Sequence, residues 1–200
     1  MTIALWLAAA YLLGAVPTSY WVARLAGIDL RRFGSRNLGA TNLYRAMGWK
    51  AAAPAGLFDV AKGVIPVLLF APRAGPAPWL PMALGTAAVS GHVFSLFVGF
   101  KGGKGVATAA GVLIVLAPIP FLISAGVWFT TLRLTGFMSA ASLIAAATFP
   151  LATALLGPDD PFTLTAAVVL AGFIMFTHRA NIQRLLHGTE PRFGSHGAAS

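Results

Sequence analysis

Three short polar segments carry the residues capable of chemistry: Gly34 to Asn42 (GSRNLGATN), Phe100 to Thr108 (FKGGKGVAT) and His178 to Glu190 (HRANIQRLLHGTE). In the second, Lys101 and Lys104 bracket the pair Gly102 and Gly103, and the run leads through Gly105 into an apolar stretch from Val106. Glycines let backbone N–H groups approach an oxyanion closely, and a helix start adds partial positive charge. The segment therefore predicts an anion cradle, most naturally for phosphate. It is not a Walker A loop: Gly105 stands where Ser or Thr must follow the lysine, and Val98 stands in place of the leading glycine. Nor does it fit GxGxxG after a strand, so nucleotide binding by either route is disfavoured.

The first segment offers Ser35, Arg36, Asn37, Thr41 and Asn42 around Gly39, with Arg45 three residues on. Hydroxyls, carboxamides and guanidinium groups at this density can hold an oxyanion or orient a hydroxylated small molecule. The same residues also suit turns and a helix N-cap. The third segment carries His178, Arg179, Asn181, Arg184 and Glu190, while Ile182, Leu185 and Leu186 recur at helical spacing. A short interfacial helix is expected there, with Arg184 as a solvated anchor. His92 is equally compatible with a packed, hydrogen-bonded role and a functional one; His187 and His196 read as surface residues.

These polar segments interrupt a chain that is 58% hydrophobic and 10% charged over 200 residues. That leaves too little polar surface to coat a soluble globule, and points to an integral membrane protein. The net charge of +9 is distributed between apolar stretches, not on one basic face, which argues against nucleic acid. With no cysteine, disulfides and zinc–thiolate sites are excluded. No HExxH, carboxylate cluster or dense histidine set is present, so no protein metal centre is expected.

Apolar windows near Ile3 to Ala26, Ala51 to Ala71, Trp79 to Phe97, Val106 to Ala117, Ile119 to Leu132, Phe137 to Leu156 and Phe162 to Thr177 predict an all-α bundle of seven transmembrane helices. The fourth and fifth are short and separated by Pro118 and Pro120. The first window lacks a basic leader and a cleavage site, and reads as a retained span. Basic residues decide the orientation. Seven spans with the N-terminus outside place Arg24, Arg31, Arg32, Arg36, Arg45, Lys50, Lys101, Lys104, Arg133, Arg179, Arg184 and Arg192 on the cytoplasmic side, with the C-terminus. Arg73, Asp159 and Asp160 fall opposite. Six spans would separate the third polar segment from the other two. Asp59 and Lys62 lie inside a span, three apart on one helical face, and can neutralise each other there. Residues 1–193 are expected to form one transmembrane domain, and 194–200 a disordered tail.

In order and topology, the three segments resemble the acyl-phosphate-dependent glycerol-3-phosphate acyltransferases of bacteria, the PlsY type. The resemblance rests on GSxNxGATN followed by Arg45, on GH with FKGGKGVAT, and on HRxNIxRLxxGxE, and extends from the first span to Glu190. It implies transfer of a fatty acyl group from acyl-phosphate to the sn-1 hydroxyl of glycerol 3-phosphate, without cofactor, at the cytoplasmic face of the bacterial inner membrane. It also implies roles. Thr41, Asn42, Gly102, Gly103, Lys104 and Thr108, with Gly39 and Gly105, form the acyl-phosphate pocket. Ser35, Arg45, Lys104, His178 and Asn181 form the glycerol 3-phosphate side and the catalytic set. Asn37, His92, Lys101 and Glu190 support them. The expected partners are these two substrates and membrane lipids, with the oligomeric state open and a monomer compatible. Acyltransferases of the HxxxxD type are a poor match, because Phe97 stands five residues after His92. The competing reading is a small membrane transporter for an anionic metabolite, but its polar groups would have to reach the midplane.

Overall fold

The computed structural model describes residues 2–194, and among them all regular structure is helical, with no strand. Its helices are α1 (Ile3–Ala15), α2 (Thr18–Leu25), α3 (Ala40–Met47), α4 (Trp49–Ile65), α5 (Ala71–Ala74), α6 (Leu80–Val93), α7 (Val106–Leu116), α8 (Pro118–Thr135), α9 (Met138–Leu156), α10 (Pro161–Thr177) and α11 (Arg179–Leu186). All seven apolar windows fall on helices. Four stretches are long and apolar enough to cross a membrane: Ile3–Leu25, Trp49–Ala74, Leu80–Val98 and Met138–Leu156. Pro161–Thr177 with Arg179–Leu186, bent by 59°, adds a fifth when taken as one span. The tail beyond Gly194 lies outside the described residues.

Prolines set the breaks. Pro17 has no N–H to continue α1, so the chain kinks between α1 and α2 and leaves carbonyls free. In hydrocarbon such groups need partners. The Ala15 carbonyl accepts from Ser95 Oγ at 2.5 Å, and the Val16 carbonyl accepts from Lys62 Nζ at 2.7 Å. Pro66 likewise cannot donate within its helix, and the backbone widens there into a single π turn, Pro66–Phe70, before α5. The expected turn between the fourth and fifth windows is present at Ala117, but only α7 is short. α8 runs for 18 residues because Pro118 and Pro120 occupy its first turn, where a missing N–H costs nothing.

Two close helix contacts organise the bundle, α1 against α6 and α4 against α7. Each is built on reciprocal glycines. A Cβ on Gly14 would overlap the Ala88 carbonyl, and one on Gly91 would overlap that of Tyr11; Gly63 meets Thr108 and Gly111 meets Val60 in the same way. With lipid as apolar as the side chains, such backbone proximity supplies the van der Waals contact that holds membrane helices together. The main apolar core lies among α6, α7, α9 and α10, and includes Val89, Val112, Phe149 and Leu170. A second cluster, with Leu30, Leu38 and Leu43, anchors the loop between α2 and α3.

The buried pair read from sequence is present: Lys62 Nζ lies 2.6 Å from Asp59 Oδ1, with neither side chain more than 3% exposed. Asp160 caps α10 by accepting from the Phe162 and Thr163 amides. A helix of this length spans about 25 Å, so Asp160 and the polar segment at Thr177–His178 mark opposite ends of α10.

Candidate active site

All three polar segments converge on one cavity of about 430 Å³. Ser35, Asn37, Gly39, Thr41 and Arg45 come from the first segment, Lys104 and Gly105 from the second, and His178, Asn181 and Glu190 from the third. His92 and Asp59 also reach it. The rest of the wall is apolar, with Leu113, Phe121, Trp128, Phe149 and Ile174 drawn from α7 to α10. A cationic head and a hydrocarbon wall thus share one space.

Lys104 is central to the polar head. Its Nζ donates to Asn181 Oδ1 at 2.5 Å, and its carbonyl accepts from Thr177 Oγ1 at 3.0 Å, so side chain and backbone are both held by the end of α10 and the start of α11. Burial pushes the ammonium down to about 8, Glu190 opposes that shift, and Arg184 and Arg45 reinforce it. Asn181 passes the constraint on by donating Nδ2–H to Glu190 Oε1 at 2.6 Å. Ser139 Oγ donates to the same oxygen at 2.6 Å, and Arg184 Nε donates to Oε2 at 2.7 Å. Burial works against the Glu190 carboxylate, but hydrogen bonds from Ser139, Asn181 and Arg184 outweigh it and hold the carboxyl below its usual range. Arg184 is therefore the partner of Glu190, a correction to its expected role as a solvated anchor.

Arg45 faces the cavity from α3, and its Nε is buried with no protein partner. Burial lowers the guanidinium below its ordinary value, with Glu190 opposing and Arg184 adding to the shift. It remains a cation at any working pH. His178, 3% exposed, lies with Nδ1 2.8 Å from the Ile174 carbonyl. A carbonyl only accepts, so in the neutral ring Nδ1 carries the proton and Nε2 is the acceptor. The segment Glu190 to Phe193 crosses back to α3: Phe193 stacks on Tyr44 at 4.9 Å between centroids, and its amide donates to the Gly136 carbonyl.

Four residues expected to bind acyl-phosphate do not line the cavity: Asn42, Gly102, Gly103 and Thr108. Asn42 is fully buried: its Oδ1 accepts from the Ser35 amide at 3.1 Å, and its Nδ2 donates to the Leu30 and Phe33 carbonyls. It shapes the loop that presents Ser35. The amides of Gly102 and Gly103 donate to the Val93 and His92 carbonyls, at 2.8 and 3.1 Å, and so are not available to an anion. These glycines are required by close approach to α6, since a Cβ on Gly102 would overlap the His92 carbonyl. Thr108 is fully buried with its hydroxyl unpartnered, where α7 meets Gly63 of α4. Lys101 is exposed and does not line the cavity. Gly105, at φ 82°, turns the chain into α7, whose first amides have no intrahelical acceptor, and Gly105, Val106 and Ala107 line the cavity. Thr177 and Ser139 were not singled out from sequence; a lone hydroxyl next to the HRxN segment, or on an apolar helix, carries no distinguishing pattern.

Among the described residues, no group of three or more His, Cys, Asp or Glu side chains could hold a metal ion.

Residues 4–188 match the family model described as glycerol-3-phosphate acyltransferase. The glycerol-3-phosphate acyltransferase of Trichlorobacter lovleyi is 45% identical over 188 residues, covering 94% of this chain and 96% of that protein. That of Desulforudis audaxviator is 47% identical over 186 residues, covering 92% and 91%. The crystal structure of PlsY (YgiH), an integral membrane glycerol 3-phosphate acyltransferase, superimposes in its glycerol 3-phosphate form with a TM-score of 0.90 at 39% identity, covering 96% of both chains. Its lysophosphatidic acid form gives 0.87 at 38% identity, again covering 96% of both. A polar head that can seat phosphate, an apolar wall, and likeness along almost the whole chain agree: this protein belongs to the glycerol-3-phosphate acyltransferase family, of the PlsY type.

Proposed function

We propose that this protein transfers a fatty acyl group from acyl-phosphate to the sn-1 hydroxyl of glycerol 3-phosphate, yielding 1-acylglycerol 3-phosphate (lysophosphatidate) and inorganic phosphate. The observation that carries this reading is the single cavity in which Arg45, Lys104 and the start of α7 face an apolar wall. Two anionic head groups and one hydrocarbon tail need such a combination. The chain is read as seven spans with the N-terminus outside, so that the cavity head opens to the cytoplasm of a bacterial inner membrane.

Arg45 and Lys104 would clamp the phosphate of the acceptor, with Ser35 and Asn181 orienting its hydroxyls. The Lys104 ammonium and the first amides of α7 would take the phosphate of the donor. Acyl-phosphate is an activated mixed anhydride, so the protein's main tasks are alignment and charge stabilisation. The sn-1 oxygen forms the new bond to the acyl carbon, the bond from that carbon to the phosphate oxygen breaks, and phosphate leaves with the electron pair. The hydroxyl proton passes to a substrate phosphate or to His178 Nε2. No acyl-enzyme is required.

The test is phosphate release from palmitoyl-phosphate by the purified protein, with and without glycerol 3-phosphate, and with palmitoyl-CoA as a parallel donor. Release that depends on the acceptor and is confined to acyl-phosphate supports the reading. Turnover of the thioester alone would overturn the donor, and tight glycerol 3-phosphate binding without turnover of either donor would favour an anion carrier.

A further inference from the structure

The buried Asp59–Lys62 pair takes no part in the chemistry above, yet it touches the site through His92. Lys62 is fully buried; its ammonium is ion-paired with Asp59 Oδ1 at 2.6 Å, donates to the Val16 carbonyl at 2.7 Å and lies 3.4 Å from His92 Nδ1. An ammonium has three N–H donors and no lone pair, so His92 Nδ1 must meet it as an acceptor. Asp59 Oδ1, at 3.8 Å, is too far from Nδ1 to accept a hydrogen bond and favour the other tautomer. The ring proton is thereby placed on Nε2.

Nε2 points at the second polar segment. A Cβ on Gly103 would fall on His92 Nε2, and Gly102 and Gly103 are tied by their amides to the last carbonyls of α6. The diglycine is thus a seat for His92 beside the loop that carries Lys104, and His92 lines the cavity.

We propose that His92 is a further phosphate-binding residue, offering an Nε2–H donor to the anion at the cavity head, and that Lys62 is the positioning residue that selects this tautomer. Asp59 and the Val16 carbonyl hold the ammonium in place. This inference rests on the reading of the cavity head as a phosphate site.

Two measurements on the full chain in detergent micelles test it. Long-range ¹⁵N–¹H correlation spectra of ¹⁵N-histidine-labelled protein, assigned by loss of one signal set in His92→Gln, report the tautomer directly. The expected result is Nε2–H at His92, with its Nε2 resonance moving on titration with inorganic phosphate. An Nδ1–H tautomer, or no response to phosphate at His92, overturns the proposal. The double variant Asp59→Leu/Lys62→Met removes the buried charges together, which a protein interior tolerates better than loss of one partner. It should keep its helical circular dichroism and lose the tautomer bias; a retained bias would overturn the role of Lys62. In kinetics, His92→Phe keeps the ring shape without a donor and should raise KM for acyl-phosphate about tenfold, the effect of one lost hydrogen bond to a charged group. His92→Gln, whose amide can present a donor near the Nε2 position, should have a lower KM for acyl-phosphate than His92→Phe. Equal KM values for His92→Phe and the parent would overturn the proposal. Absence of acyl-phosphate turnover alongside a phosphate response at His92 would instead displace the donor assignment and leave this site standing.

Discussion

Lys104 Nζ lies 2.5 Å from Asn181 Oδ1, joining two segments 77 positions apart. Asn181 in turn donates to Glu190, which Arg184 and Ser139 hold from the other side. The ammonium is therefore aimed before any substrate arrives, and the lost side-chain freedom is met during folding, not at binding.

Lys104→Ala removes the cation that the proposed function places between both phosphates. Acceptor-dependent phosphate release should fall by roughly 10²–10³-fold, the scale seen when one preorganised charge-stabilising donor is lost. The thermal unfolding midpoint should stay near that of the parent protein. Near-normal turnover would show that the site is misplaced.

The Lys104 ammonium, lowered to about 8, predicts the alkaline limb of activity. In the proposed function the charged form is the one that binds phosphate. It is fully populated only well below pH 8 and is lost as pH rises through that value, so kcat/KM should fall across that range. Bound phosphate favours the charged form, so the limb in kcat should lie at higher pH than that in kcat/KM. Lys104→Arg, if active, should shift the limb of kcat/KM upward by more than one unit, because guanidinium does not titrate there.

Glu190→Ala leaves Asn181, Ser139 and Arg184 without their common acceptor. A loss of about 2 kcal/mol is expected from abandoned partially buried hydrogen bonds, read as a lower unfolding midpoint in the same detergent. For the intact protein the sign with pH follows from a carboxyl held low in the fold: its contribution is present above the ordinary glutamate range and lost as pH falls through the folded value. Glu190→Ala should abolish that part of the acid sensitivity.

Asn42→Ala should act through stability and Ser35 placement. Its carboxamide makes three hydrogen bonds to the loop, and their loss should lower the unfolding midpoint even without substrate. An unchanged midpoint with a raised KM would return Asn42 to the phosphate pocket.

The absence of cysteine makes the orientation directly testable. With Lys101→Cys and Asp159→Cys introduced singly, a membrane-impermeant maleimide should label Asp159→Cys from outside intact cells and Lys101→Cys only after the inner face is exposed. The reverse pattern would invert the proposed topology.

Much of this protein is legible in its amino-acid sequence because the bilayer simplifies the problem. An apolar window must become a helix where water is absent to satisfy its backbone, and a polar segment between such windows must face water or line a site. The seven helical windows, the buried Asp59–Lys62 pair and the shared destination of the three segments follow from that rule. Tertiary structure decided what each polar group within a segment does. Asn42 and Lys104 look equally ready to bind an anion in a linear motif, yet Asn42 folds back onto Leu30 and Phe33 while Lys104 is held by Asn181. Gly102 and Gly103 look like an amide cradle, but the carbonyls of α6 take their N–H groups. The difference is one of partners far apart in the chain: hydrogen bonding is set by which groups the packed helices bring within 3 Å, and spacing along a segment does not contain that information.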